Sequence, residues 1–351
     1  MIRRASDYDE SDVRIRPSRR GSRPRSKDRP AHEDAVPGFV IGVDRGRYTV
    51  LVAKGAGGRD ERGKPWPERT VTAMKARELG RKGIVVGDEV DLVGDTSGGP
   101  DGLARIVRLT ERRSVLRRTA DDTDPVERVI VANADQLVIV SALANPEPRP
   151  RMIDRCLVAA YDAGLDPLLV LTKADLADAD AFLASYAPLD VRSVVTATGE
   201  SGFEGLEALQ EQLVDRISVF IGHSGVGKST LVNGLVPDAQ RATGVVNDYT
   251  GRGRHTSSSA VALRLPDRSG WVIDTPGVRS FGLAHVDLDR IIQHFPDLEP
   301  GTAECPRGCT HDEEECALDA WVASGRAGPA GSSRLESLRR LLRARSGEAA
   351  D

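Results

Sequence analysis

A multidomain α/β fold is predicted from three observations, one from each part of the chain. Short β-type segments separated by glycine-rich turns recur between residues 38 and 107; a strand, a glycine-rich loop and a helix follow one another at 217–235; and three of the four cysteines fall with a histidine inside 305–316. At 351 residues the chain is too long for one typical domain and suits two or three. The expected division is a disordered basic tail at 1–35, a β-barrel at 36–118, a parallel-sheet domain at 119–284 and a small α-helical, metal-binding domain at 285–351.

The tail is rich in Arg, Ser, Pro and Asp and has almost nothing to bury, which predicts disorder. Its Arg14, Arg16, Arg19, Arg20, Arg23, Arg25, Lys27 and Arg29 face a single acid, Asp28. Two readings stand for that run, contact with a phosphate backbone or a solvated tail. The segments 39–43, 48–52 (after an Asp44-Arg45-Gly46 turn), 70–74, 89–93 and 103–107 read as five short strands, enough for a small barrel. Periodicity alone does not separate an oligonucleotide-binding barrel from an SH3-like one. The connection from Lys54 to Arg69, with Gly55, Gly57, Gly58, Lys64 and Trp66, reads either as a mobile RNA-contacting loop or as a tolerated insertion.

In the central part the apolar run 217–221 leads into Gly222, His223, Ser224, Gly225, Val226, Gly227, Lys228, Ser229 and Thr230, with the helix-compatible 231–235 beyond. This is the phosphate-loop pattern G-x-x-x-x-G-K-[ST] in its strand–loop–helix context. Its glycines let backbone N–H groups turn inward around a β-phosphate, Lys228 brings a point charge to the β/γ oxygens, and the Ser229 hydroxyl is a Mg²⁺ ligand. The helix N-terminus adds partial positive charge.

A phosphate loop does not choose the base. The strand 167–171 runs into Thr172, Lys173, Ala174 and Asp175, close to the N-K-x-D guanine signature but with Thr where Asn is usual. The Asp175 carboxylate can accept both N–H donors of the guanine edge, a pair that adenine lacks. Thr196 and Ala197, after another β-branched run, resemble the loop that backs the base. Downstream, the strand 270–273, paired with 260–265 through a Pro266-Asp267 turn, ends at Asp274-Thr275-Pro276-Gly277, a D-x-x-G pattern. There Asp274 acts on Mg²⁺ through water and the Gly277 N–H senses a γ-phosphate.

The base-reading motif therefore precedes the phosphate loop, whereas ordinary small GTPases begin with the phosphate loop. Joining a domain's old termini and opening it elsewhere preserves a parallel sheet, because domain termini lie close together at the surface. The chain thus reads as a circularly permuted P-loop GTPase. Val278 stands just after D-x-x-G, where many small GTPases carry a water-orienting Gln, and it can make no hydrogen bond to water. The segment 247–259 offers Thr256 as a second Mg²⁺ ligand and His255, whose imidazole is suited to positioning water. A histidine that only caps the loop or contacts RNA is the alternative.

Cys305, Cys309, His311 and Cys316 fall within twelve residues and make a closed Cys₃His set suited to one tetrahedral, structural Zn²⁺. Cys156 lies on the apolar face of a helix pattern with Ile153, Leu157, Ala160 and Tyr161 and reads as a buried small hydrophobe.

With these motifs in hand, the chain resembles the bacterial ribosome-small-subunit-dependent GTPase family (RsgA, also called YjeQ). The match also takes in Val86-Gly87-Asp88-Glu89-Val90, Ala132-Asn133-Ala134-Asp135-Gln136 and Gly253-Arg254-His255-Thr256. The resemblance implies an N-terminal OB-type β-barrel, the permuted GTPase domain and a small C-terminal α-helical zinc-binding domain, in that order. It further implies Mg²⁺-dependent hydrolysis of GTP to GDP by a monomer, stimulated by the 30S ribosomal subunit through 16S rRNA during late small-subunit maturation, with His255 as the water-positioning group. The zinc motif departs from the family's C-x₄-C-x-H-x₅-C, with three residues between Cys305 and Cys309 and four between His311 and Cys316.

The net charge of −4 argues against nucleic acid only superficially, since phosphate contacts depend on local Lys and Arg. Basic pairs occur at Arg112-Arg113 and Arg117-Arg118, and in the last helix Arg339, Arg340, Arg343 and Arg345 lie largely off the apolar stripe of Leu335, Leu338, Leu341 and Leu342. A phosphate-binding face and a solvated one both fit that pattern. No apolar run approaches the ~20 residues needed to span a bilayer, and no signal-peptide core follows Met1, so a cytoplasmic protein without membrane contact is expected. Two other function classes stay open: a permuted GTPase acting on another RNA or RNP, and an RNA-binding module that uses GTP as a structural ligand.

Overall fold

The computed structural model describes residues 32–59, 62–80, 83–118, 128–199, 202–237, 260–266, 270–275, 283 and 286–346. Residues 1–31 of the tail and the segment 238–259, which contains His255 and Thr256, therefore lie outside the described residues. Five strands come first: β1 (Val36–Asp44), β2 (Arg47–Val52), β3 (Arg69–Lys75), β4 (Glu89–Gly94) and β5 (Ala104–Leu109). Alternation along them turns Val40, Val50, Val52, Val71, Ala73, Val90, Leu92 and Ile106 into one core. The β1–β2 turn needs two residues at positive φ, and Arg45 (44°) and Gly46 (84°) supply them.

The strands hydrogen-bond in the order β1-β2-β3-β5-β4, β4 closes back on β1, and β3 runs parallel to β5. That connectivity is the OB type, so topology makes the distinction that periodicity left open. The long connection before β3 is an anchored hairpin. Gly55 N donates to Trp66 O (2.8 Å), and the Arg69 guanidinium donates to Thr96 O and Ala56 O and lies 5.1 Å over the Trp66 ring.

A two-stranded link, β6 (Val115–Arg118) and β7 (Arg128–Ala132), leads to the second sheet. There β8 (Gln136–Ala142), β9 (Asp166–Thr172), β10 (Arg192–Val195), β13 (Ile217–Ile221) and β15 (Trp271–Asp274) are mutually parallel, and β14 (Val261–Arg264) is antiparallel to β15. In space the order is β10-β9-β8-β13-β15-β14. Counted from β13, the six strands take the order 2-3-1-4-5-6, that of an unpermuted small GTPase, which makes the permutation visible in three dimensions. The join between the last and first strands of that count is the hairpin β11 (Ala197–Gly199) and β12 (Gly202–Glu204) followed by α3 (Leu206–Leu213).

The central parallel strands β8, β9 and β13 are largely apolar on both faces because both faces are covered. Leu137 and Ile139 pack with α1 (Pro150–Ala163) and the C-terminal helices, while Val138, Val140 and Phe220 pack with α3 and α4 (Lys228–Leu235).

Barrel and parallel sheet are joined through backbone. Ala132 N donates to Val86 O (3.0 Å), and the Asn133 side chain bridges Gly87 O (2.8 Å) and Arg113 N (2.8 Å). At Gly87 φ is 91°, and a Cβ there would come 2.0 Å from Ala132 O, so glycine is required on both counts. Asp88, fully buried, is held by Arg112 at 2.7 and 2.8 Å and by Val85 N. Arg113 meets Asp135 (3.0 Å). The Arg112-Arg113 pair, counted in sequence among phosphate-contact candidates, is thus committed to this joint, because a buried carboxylate demands a cation more strongly than solvent does.

The C-terminal part contains α5 (Leu288–Ile292), α6 (Ala317–Ala323) and α7 (Gly331–Ser346). Leu335, Leu338, Leu341 and Leu342 of α7 are buried in the same core as α1. Three of its arginines are also engaged. Arg340 forms an ion pair with Asp154 (3.2 Å) and lies over the ring of Tyr186, the last residue of α2 (Asp180–Tyr186); Arg343 pairs with Asp312, and Arg339 with Asp319. No helix among the described residues is long and apolar enough to cross a membrane.

Burial pushes the Asp154 carboxyl up to about 6, with Arg340 opposing the shift. A carboxyl whose folded pKa lies above its unfolded value holds its proton more tightly when folded. Its ionisation therefore costs stability above about pH 6, and the cost is relieved as pH falls toward the unfolded value near 4. Asp154→Asn removes this dependence. The melting temperature of the parent relative to the variant should rise between pH 7 and pH 4.5, by the equivalent of roughly 2 kcal/mol; parallel melting curves across that range would contradict it.

Candidate nucleotide site and metal centre

The carboxyl ends of four parallel strands, β9, β8, β13 and β15, neighbours in that order, lie along one edge of the sheet. The loop 222–227 follows β13, and Gly225 (φ 86°) and Gly227 (φ 88°) occupy the left-handed region its inward turn requires. A Cβ on Gly222 would come 2.7 Å from Val140 O of β8, so this glycine lets the loop leave against its neighbour strand. Val226 anchors the loop apolarly in the α3/α4 core, and Ser229 and Thr230 stand exposed on the first turn of α4. His223 is buried. Its Nδ1 lies 3.0 Å from Ser224 O and its Nε2 has no partner among the described residues.

Lys228 and Asp274 form an ion pair, so the phosphate-loop cation and the D-x-x-G carboxylate share one place, as a site for a metal-bound phosphate requires. Thr275 Oγ1 donates to Phe220 O (2.8 Å), tying the end of β15 to β13. Gly277, His255 and Thr256 lie outside the described residues.

Thr172 is buried at the end of β9, and its hydroxyl donates to Val226 O at 2.6 Å. The residue that departs from the guanine signature thus reaches across 54 positions of sequence to fix the phosphate loop. Lys173 has φ 62°, and its ammonium donates to Asn145 O. Ala174 N donates to Thr196 O (3.2 Å), and the exposed Asp175 carboxylate accepts from Thr198 N (3.3 Å). Thr172 to Asp175 and Thr196 to Thr198 are therefore one unit, with a carboxylate at its open edge. Asn145, in the loop after β8, was absent from the sequence reading. Its signal was positional: in open parallel sheets, ligands bind beyond the carboxyl ends of the strands.

The second cluster is separate. The donor atoms of Cys305, Cys309, His311 and Cys316 all lie within 4.8 Å of one another. Cys305 Sγ is 3.6 Å from His311 Nδ1 and 3.8 Å from Cys316 Sγ, and Cys316 Sγ is 3.9 Å from His311 Nδ1. A tetrahedral ion with metal–sulfur bonds of about 2.3 Å and a metal–nitrogen bond of about 2.0 Å separates its donors by about 3.5–3.8 Å. The four residues therefore fit a closed, structural metal site.

The shortened spacing is absorbed by Gly308 (φ 82°) and by His311 itself (φ 68°). Glu313 holds the intervening turn through Thr310 N and Oγ1, while Arg339 Nε donates to His311 O (3.0 Å). Burial pushes the Cys309 thiol up to about 12 and lowers the His311 imidazole. A metal must displace the thiol protons, whereas the imidazole is already favoured in its ligating, neutral form.

Thr172→Val keeps the shape of the side chain and leaves the buried Val226 carbonyl without its donor, a loss of about 1–3 kcal/mol. GDP affinity should fall about tenfold, whereas Thr172→Asn, the residue usual at this position, should keep it within about threefold. Fluorescence titration showing no loss in Thr172→Val would remove the link between the two loops.

The RsgA GTPase family model matches residues 109–284. The chain is 39% identical over 251 residues to the small ribosomal subunit biogenesis GTPase RsgA of Chromohalobacter salexigens, covering 70% of this chain and 71% of the relative. It is 38% identical over 267 residues to the protein of the same name from Chlorobaculum parvum, covering 74% and 85%. Among solved structures, YjeQ from Thermotoga maritima superposes with a TM-score of 0.59 at 26% identity, over 90% of this chain and all of that one. YloQ, described as a circularly permuted GTPase, gives 0.59 at 20% identity over 92% of this chain and all of that one, a likeness of fold. The permuted strand order, the loops along one edge of the sheet and these matches lead to one assignment: the chain belongs to the RsgA GTPase family.

Proposed function

We propose that this GTPase acts in late maturation of the small ribosomal subunit, binding 16S rRNA on the 30S subunit and hydrolysing GTP to GDP faster when bound there. The observation that carries the reading is the name shared by its relatives, small ribosomal subunit biogenesis GTPase, at 38–39% identity across 70–74% of this chain. The resolved site gives it chemical support, since a carboxylate stands at the base-reading edge and a cation beside a carboxylate at the phosphate end.

In this reading the barrel at 36–118, the GTPase domain at 119–284 and the C-terminal domain at 285–351 act together on the subunit, as a monomer in the cytoplasm. Asp175 selects guanine, and Lys173, Ala174, Thr196 and Ala197 frame the base. The backbone from Gly222 to Thr230 and Lys228 hold the phosphates. Ser229 and Thr256 ligate Mg²⁺, Asp274 acts on it through water, and Gly277 senses the γ-phosphate. His255 positions the attacking water, because Val278 cannot. Cys305, Cys309, His311 and Cys316 hold one Zn²⁺, which gives the C-terminal domain its local fold.

Single-turnover hydrolysis with and without 30S subunits tests the partner. Stimulation by 30S and none by 50S subunits or tRNA is expected, and His255→Ala should keep GTP affinity while losing most of the stimulation. Full stimulation of the variant would assign the water-positioning group to the ribosome instead. For the metal, protein purified without chelator should carry one zinc per chain, and Cys305→Ser with Cys316→Ser should lose it while GDP binding persists. Absence of stoichiometric zinc in the parent would remove the metal assignment.

A further inference from the structure

Besides the joint at Gly87 and Asn133, the barrel grips the parallel sheet at a second place, on the antiparallel ribbon of β14 and β15. Val261 of β14 is paired with Asp274 on one side and with Gly42 of β1 on the other, so barrel backbone stands two strands away from the D-x-x-G carboxylate. This is the one registered β1–β14 pair among the described residues, and β1 has an irregular register with β2 between Val40 and Gly42, next to the contact.

Three residues further along the ribbon, Arg264 faces Trp271 across the strands. Its Nη1 donates to both carboxylate oxygens of Glu68, at 2.8 and 2.9 Å, and Glu68 immediately precedes β3 of the barrel. The guanidinium lies 4.8 Å over the Trp271 ring, whose other neighbour is Phe39 of β1, 5.2 Å away at 49°. Glu68 and Phe39 of the barrel thus hold one residue on each strand of the ribbon that ends at Asp274.

As a source of stability the pair is minor, for both side chains are partly exposed, at 27% and 38%, and exposed ion pairs contribute little. Its location is more telling. β14 is the outermost of the six GTPase strands, laddered to β15 along its length, and beyond its single backbone pair to β1 the seating of the barrel against it at Arg264 rests on side chains. β15 is aligned on β14 and carries Asp274 only three residues beyond Trp271.

We propose that Arg264 is a positioning residue for Asp274: clasped by Glu68 and stacked on Trp271, it sets where β15 delivers the carboxylate that acts on Mg²⁺, and so links the seating of the barrel to the metal step of hydrolysis. The proposal rests on the reading of Asp274 as the Mg²⁺-directed carboxylate. It makes the barrel a part of the catalytic geometry as well as a binding module.

The test uses the full chain and follows intrinsic GTP hydrolysis as a function of Mg²⁺ concentration, alongside GDP affinity in EDTA. Arg264→Met and Glu68→Gln should each raise the Mg²⁺ concentration for half-maximal hydrolysis by roughly fivefold, the scale of losing one such pair or stack. Metal-free GDP affinity should stay within about twofold, because the phosphate loop carries it. Arg264→Lys, which keeps a cation between Glu68 and Trp271, should recover most of the effect. A merely structural role would lower the melting temperature without moving the Mg²⁺ midpoint. Asp274→Asn serves as the reference. If it shifts the Mg²⁺ midpoint and Arg264→Met does not, the positioning role is overturned and the site reading stands; if Asp274→Asn itself leaves the midpoint unmoved, the site reading falls and takes the proposal with it.

Discussion

The parallel pairing of β13 with β8 and β15 is the constraint on which the candidate nucleotide site depends. Parallel strands place all their carboxyl ends on one edge. Ile221 at the end of β13 and Ala142 at the end of β8 therefore deliver the phosphate loop and the Asn145 loop to the same edge at which β15 ends with Asp274. β9, next to β8, adds the segment from Thr172 to Asp175 there. Because this depends on strand order in space and not on order along the chain, permutation leaves it intact. Side chains then lock the loops together: Thr172 to Val226, Thr275 to Phe220, Lys173 to Asn145.

The barrel is attached by a different kind of physics. At the first joint Ala132 N meets Val86 O and the Asn133 side chain meets Gly87 O, with a glycine where any side chain would strike Ala132 and a fully buried Asp88 neutralised by Arg112. Removing one partner of such a pair leaves an uncompensated buried charge, so the joint tolerates little change. At β14 the contact is one strand pair, one exposed ion pair and one aromatic stack, each individually weak.

The C-terminal part uses arginine for adhesion. Arg339 and Arg343 hold the turn that carries the candidate metal ligands, through His311 O and Asp312, and Arg334 and Arg340 reach to Pro188 O and Ser185 O across α2 and its following turn. Planar guanidinium groups donate several bonds in fixed directions, which suits carbonyls and carboxylates presented by irregular loops. The loop that carries the four candidate ligands is consequently held by side chains. The basic helix face, open in sequence between phosphate contact and solvation, is for Arg339, Arg340 and Arg343 an internal interface.

The barrel's five strands, the phosphate-loop pattern, the clustering of Cys305, Cys309, His311 and Cys316 and the permuted order were legible in the sequence, because each is written in local periodicity or fixed spacing. Tertiary structure alone decided the OB connectivity, since strand pairing is set by long-range closure that alternation within a strand does not encode. It also decided the use of Thr172, which reads locally as a weak match to a guanine motif and becomes a donor to the phosphate loop only when β9 and β13 stand on either side of β8. The arginines make the same point. A charge in a sequence has no direction, and whether Arg112 or Arg340 meets water, phosphate or a buried carboxylate depends on which distant acid the fold brings within reach.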